Sequence, residues 1–125
     1  MLNIALVAAG GAAGSVLRYL CILAAGSYFG PQFPIGTVFV NVTGSFLIGL
    51  FVELIARHGA APDMLRLLLV TGFLGGFTTF STFSLDFAVL WERGQLWLAC
   101  LYLIASTVVG ILALFAGLWA GRTWG

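Results

Sequence analysis

Charge is what this sequence has least of. Five basic and four acidic residues are spread over 125 positions, and the net charge at pH 7 is +1. Soluble domains carry about a quarter charged residues, so at 7% this chain cannot clothe itself in a wetted surface. The near-zero net charge also gives no purchase on nucleic acid. There are two cysteines, Cys21 and Cys100, both inside apolar runs. They read as small buried hydrophobes, because a disulfide framework or a metal site needs more ligands. The one histidine, His58, stands in a loop beside Arg57 with no nucleophile next to it. No catalytic triad and no phosphate-binding loop is visible, and no acid lies centrally in an apolar run. Asp86 comes nearest, toward the end of the third run. An enzyme, an ATP-driven pump and a proton-coupled carrier all lack their machinery here.

What is present is hydrocarbon: 62% of residues are hydrophobic and the mean hydropathy is +1.14. A bilayer core takes roughly 20 apolar residues per helix. Residues 2–17, 67–85 and 94–121 are uncharged, and nothing between Arg18 and Glu53 carries charge. Pro31 and Pro34 divide that last run. The sequence therefore predicts an all-α membrane protein with spans at about 2–28, 34–55, 66–90 and 96–120, forming one domain over 1–125. The first span lacks a basic leader region and a second follows at once, so it reads as a mature helix rather than a signal peptide. Four spans put both termini and the 57–65 loop on one side, with Arg57, Arg66 and Arg122. Arg93 and, by depth, Arg18 fall to the other side. That balance orients the chain weakly. Copies inserted both ways could pair as an antiparallel dimer.

Glycine is abundant. Gly10 and Gly14, Gly72 and Gly76, and Gly117 and Gly121 each lie four apart, which puts each pair on one helix face. In lipid such pairs let backbones approach. Four short helices enclose little interior, so an oligomer is the natural way to build a site.

The polar residues inside the spans fall at helical spacing. Span two carries Thr37, Asn41 and Ser45, and span four carries Tyr102, Ser106 and Gly110 with Thr107 beside them. A lone hydroxyl usually bonds back to its own helix. Asn41 cannot satisfy its amide that way. Span three holds "GGFTTFSTFS", residues 75–84, with two glycines, three phenylalanines and five hydroxyls. Gly75-Gly76 predicts an interruption that frees carbonyls around Gly75 to Thr78 for a small hard cation, with helix restarting near Thr79. The alternative is that the glycines only make room for a neighbouring helix. Phe77 and Phe87 read as packing. Phe80 and Phe83 stand among hydroxyls, where the positive edges of their rings can attract an anion without holding it.

Three stretches, "GGFTTFSTFS", "GTVFVNVTGSF" around Asn41 and "GGAAGSVLRY" in span one, resemble the CrcB/Fluc family of fluoride ion channels. The resemblance covers the whole chain. It implies an antiparallel dual-topology homodimer in the bacterial inner membrane that exports fluoride passively from the cytoplasm and relieves its toxicity. It implies a structural Na⁺ at the dimer centre, held by the backbone carbonyls of Gly75 and Thr78. By the same resemblance Asn41, Phe80 and Phe83 line the fluoride pathway, with Tyr102 and Ser106 as the polar track of span four. Thr37 matches a vestibule hydroxyl, and Arg18 matches the span-one arginine, structural or vestibular. Thr79, Ser81 and Thr82 complete the pathway set as hydroxyls that replace water or hold the helix. Gly110 stands where the family usually has a hydroxyl. Two other readings compete. A small multidrug-type proton-coupled exporter needs a membrane-embedded carboxylate, and a non-transporting assembly subunit leaves the polar stripes without a use.

Overall fold

A computed structural model describes residues 1–59 and 61–124. Helix α1 runs Leu2–Phe29 and α2 runs Ile35–His58. Helix α3 occupies residues 62–77, α4 runs Phe80–Glu92, and α5 runs Leu96–Trp124. With α3 and α4 taken as one interrupted span, four helices are long and apolar enough to cross a membrane. No strand occurs among the described residues.

The boundaries follow local chemistry. Gly30 ends α1 with φ at 79°, a conformation that favours glycine, and Pro31 and Pro34 hold the chain open before α2. Arg57 and His58 lie in the last turn of α2, where cations favour the carbonyl end of the helix dipole. Pro62 opens α3 with Asp63 in its first turn, both suited to a helix start.

Helix α3 changes its winding. After one α turn at Pro62–Leu65 it is π-helical over Arg66–Leu74, and the Gly75 N–H reaches back to the Val70 carbonyl. Such wide turns are rare and gather at functional sites. The interruption then falls later than the glycines predict. Gly75 is helical, with φ −61° and ψ −37°. The chain becomes extended at Thr78 (φ −86°, ψ 159°) and Thr79 (φ −153°, ψ 125°). Gly76 instead makes room for a neighbour. A Cβ there would lie 2.6 Å from the Gly11 carbonyl oxygen and 3.1 Å from Ser15 Oγ on α1. The packing alternative holds for Gly76, and two threonines carry the break.

Two helix pairs form the frame: α1 lies along α3, and α2 lies along α5. Both are closed by glycine. Gly10 and Gly14 of α1 sit against backbone of Leu68 and Phe73, while a Cβ on Gly72 would lie 3.1 Å from Gly10 Cα. Gly117 of α5 faces backbone of Phe46 and Leu50, and Gly49 of α2 faces backbone of Leu114 and Leu118. The buried core is correspondingly thin. Val40, Leu74 and Phe77 form one cluster, and Phe83, Leu90, Ala99 and Tyr102 form another.

Polar contacts pin the two ends of the bundle. Arg122 Nε donates to Glu53 Oε1 at 2.8 Å, and Arg57 Nη1 donates to the Arg122 carbonyl at 3.2 Å. At the other end Arg93 Nη1 donates to the Pro31 carbonyl at 3.5 Å. Arg18, expected by depth at that second end, instead lies beside the break, where its Nε donates to the Gly76 carbonyl at 3.0 Å. Three arginines, Arg57, Arg66 and Arg122, therefore stand at one end against Arg93 at the other.

Candidate ion pathway

Asn41 explains why the third span opens where it does. Its Oδ1 accepts from the Thr79 N–H at 2.7 Å, and its Nδ2 donates to the Thr79 carbonyl at 2.9 Å. The carboxamide thus does for Thr79 what a neighbouring strand does in a sheet. It satisfies both backbone groups of the extended residue, which hydrocarbon otherwise makes expensive. The Thr79 side chain then starts α4, its Oγ1 accepting from the Thr82 N–H at 3.1 Å.

These bonds release carbonyls. The Thr79 N–H that would close a helical turn onto the Gly75 carbonyl goes to Asn41, and the Thr82 N–H that would reach Thr78 goes to Thr79 Oγ1. The Gly76 carbonyl between them is taken by Arg18. Losing that arginine leaves a carbonyl without a partner, a cost of about 1–3 kcal/mol. Arg18→Met is therefore expected to lower the melting temperature of the protein in detergent without removing its helicity, as read by far-ultraviolet circular dichroism on heating.

Beside the break lies a cleft of about 350 Å³. Helix α2 contributes Asn41 and Ser45, and α5 contributes Ser106, Thr107 and Gly110, so the two predicted stripes face one another. Thr78, Thr79, Phe80 and Phe83 form the remaining wall with Ile48 and Ile111, and no ionisable side chain among the described residues lines it. Ser106 Oγ is fully buried and has no hydrogen-bond partner among the described residues. Buried hydroxyls are normally partnered, so this one stands open to a group in the cleft.

The phenylalanines differ in setting. Phe83 is buried and packs on Tyr102, with ring centroids 5.0 Å apart at 44°. Phe80 is 78% exposed in the single chain and leans on Phe83 at 5.9 Å and 50°. Phe77 is core.

One helical turn from Asn41 and Ser106, Thr37 Oγ1 and Tyr102 OH donate to the same oxygen, Asp86 Oδ2, at 2.7 and 3.1 Å. Thr37 is 3% exposed and Tyr102 fully buried. Asp86 is the residue the sequence undervalues. Its step of three from Phe83 puts it near the face that carries Phe80 and Phe83, a signal already in the spacing. Of the expected pathway residues, Asn41, Thr79, Phe80, Phe83 and Ser106 share the cleft, while Thr37 and Tyr102 meet at Asp86. Thr82 lines a separate opening with Thr37 and Asp86. Ser81 is exposed, 3.4 Å from Thr79 Oγ1, and does not line the cleft. Thr78 lines the cleft, whereas Gly75 is exposed away from it.

Fold and cleft together define a protein with four helices long and apolar enough to cross a membrane, the third interrupted beside an uncharged cleft. The chain belongs to the CrcB family, whose model, described as CrcB-like protein, Camphor Resistance (CrcB), matches residues 5–118. Among its relatives is the fluoride-specific ion channel FluC of Agrobacterium fabrum, 61% identical over 122 residues, or 98% of each chain. The protein of the same name from Chelativorans sp. is 54% identical over 123 residues, again 98% of each chain. That of Mesorhizobium japonicum is 48% identical over the same extent.

Proposed function

We propose that this protein is a fluoride channel that lets the ion leave the cytoplasm through the cleft between α2, α4 and α5. What supports this is the make-up of that cleft: an amide, several hydroxyls and two aromatic rings, with one buried hydroxyl left unpartnered and no fixed charge. A small anion must exchange its water for donors as it enters, and it must leave again. Hydroxyls, an amide and ring edges supply many weak contacts, whereas an arginine in the passage holds the ion. The relatives' name supplies the identity of the ion.

Export needs no coupling to an energy source. Hydrogen fluoride crosses membranes as a neutral acid and dissociates in the less acidic cytoplasm. An inside-negative potential then drives the anion out, worth about 2.3 kcal/mol per charge per 100 mV. Such export suits a seat in the bacterial inner membrane.

The working unit is an antiparallel homodimer of copies inserted in opposite directions. Phe80 and Gly75 are exposed in the single chain, which suits burial against a second copy. A structural Na⁺ fits the break. The carbonyls of Gly75 and Thr78 lose their helical partners there, and hard oxygens suit such an ion. Gly75 and Thr78 of two opposed copies would hold it, and its charge would fix the two breaks against each other.

Purified protein in liposomes loaded with fluoride or chloride tests the reading. Rapid fluoride efflux with chloride retained is expected. Vesicles that hold both ions, or release both alike, overturn it.

A further inference from the structure

Ser45 has no hydrogen bond among the described residues, and the geometry points to it as an anion-binding hydroxyl of the passage, in place of the one that position 110 lacks. This rests on the channel reading above. The α5 stripe offers Tyr102 and Ser106 and then, one turn on, Gly110. The donors at that spacing therefore stop after Ser106, with only Thr107, one residue off the stripe, beyond it. Across the cleft the α2 stripe does not stop, because Ser45 follows Asn41 by one turn and lines the same wall.

The two positions address one point in space. A Cβ built on Gly110 would meet a single atom within 4 Å, Ser45 Oγ at 3.9 Å. A serine at 110 would carry its hydroxyl one C–O bond beyond that Cβ. It would then occupy the volume that Ser45 now faces alone. Gly110 is also unlike the packing glycines of this bundle. Gly117 and Gly49 are pressed against backbone, but at Gly110 no backbone approaches. Close packing therefore does not explain the glycine. Its absent side chain opens the cleft in front of Ser45.

Ser106 supplies an independent pointer. Its Oγ is fully buried and unpartnered in the same cleft. An ion leaving Ser106 finds no donor at the next stripe position of α5, Gly110. It finds Ser45 on α2, so the polar path crosses from one helix to the other at this level. Thr107 also lines the cleft, but it is exposed in the single chain and projects from α5 one residue off the stripe.

Fluoride efflux from liposomes decides the matter, with wild type, Ser45→Ala, Gly110→Ser and the double variant S45A/G110S measured side by side. Each is first shown to elute as one species in detergent. S45A is expected to slow fluoride efflux by about tenfold, the equivalent of one hydrogen bond to an ion. Gly110→Ser conducts, and in its background S45A has no further effect, because the hydroxyl is supplied from the other side. S45A conducting like wild type overturns the assignment, and so does a slow S45A that G110S fails to restore. If S45A alone aggregates, the double variant against G110S carries the test. Equal rates support the assignment, and a tenfold deficit overturns it. Wild-type vesicles silent to fluoride overturn the channel reading and this inference together, and that outcome is distinct from an insensitive Ser45 in a conducting protein.

Discussion

Protein carrying Asn41→Ala is expected to lose fluoride efflux by at least about a hundredfold and to melt at a lower temperature in detergent. Both effects come from one side chain. Asn41 holds the Thr79 N–H at 2.7 Å and the Thr79 carbonyl at 2.9 Å. Alanine leaves two backbone groups without partners inside the membrane, at about 1–3 kcal/mol each. Water entering the adjacent cleft offsets part of that, so the protein folds, but the extended segment loses its reason to stay extended. Helix closing through Thr79 would reclaim the Gly75 and Thr78 carbonyls and rotate Phe80 and Phe83 away from the α5 stripe. Asn41→Asp separates the two roles. Its carboxylate still accepts from the Thr79 N–H but cannot donate to the Thr79 carbonyl, so only part of the stability returns, while the negative charge repels the anion and efflux stays low. Liposome efflux and thermal melts of both variants check this. A freely conducting N41A would remove Asn41 from the pathway.

The second large effect is steric. Gly117→Leu is expected to yield no properly folded protein, and Gly117→Ala a folded protein of lower melting temperature. A Cβ at Gly117 would lie 2.8 Å from Leu50 N and 3.0 Å from the Phe46 carbonyl carbon, and nearer still to the Phe46 oxygen. These are backbone atoms of α2 and cannot swing aside. Overfilled cores cost about 1–3 kcal/mol even where side chains can adjust. The control is Gly26→Leu, since nothing lies within 4 Å of a Cβ there. It is expected to elute and melt like the wild type. Size-exclusion profiles of the three variants decide the point. Normal behaviour of Gly117→Leu would mean that α2 and α5 do not cross as described.

The same two regions show what could be read before the fold was known. The spans were legible because hydropathy is a sum over many residues, and one misread position does not alter it. The stripes Thr37–Asn41–Ser45 and Tyr102–Ser106–Gly110 were legible because regular helices keep a fixed period. The break was legible in part: helix restarts at Phe80 behind the Thr79 cap, close to the expected place, but the glycines do not carry it. Glycine serves both conformational freedom and close approach, and the letters do not say which. At Gly76 approach wins, because Gly11 lies against it. The break moves to Thr78 and Thr79, where a partner on another helix offers two hydrogen bonds. The convergence of Thr37 and Tyr102 on Asp86 was hidden for the same reason. It joins residues from three helices, and their meeting depends on crossing angles that no local pattern encodes. The π-helical winding over Arg66–Leu74 left no mark in the sequence.

Arg18 has one more consequence. Its guanidinium is tied to the Gly76 carbonyl at the depth of the break, yet it does not line the cleft. Inside a membrane a charge is felt over distances at which water would silence it. In the single chain this cation therefore reaches an anion in the cleft through its field rather than by contact. The bundle can draw negative charge to its middle from a place where that charge cannot settle, so attraction and adhesion are divided between different residues.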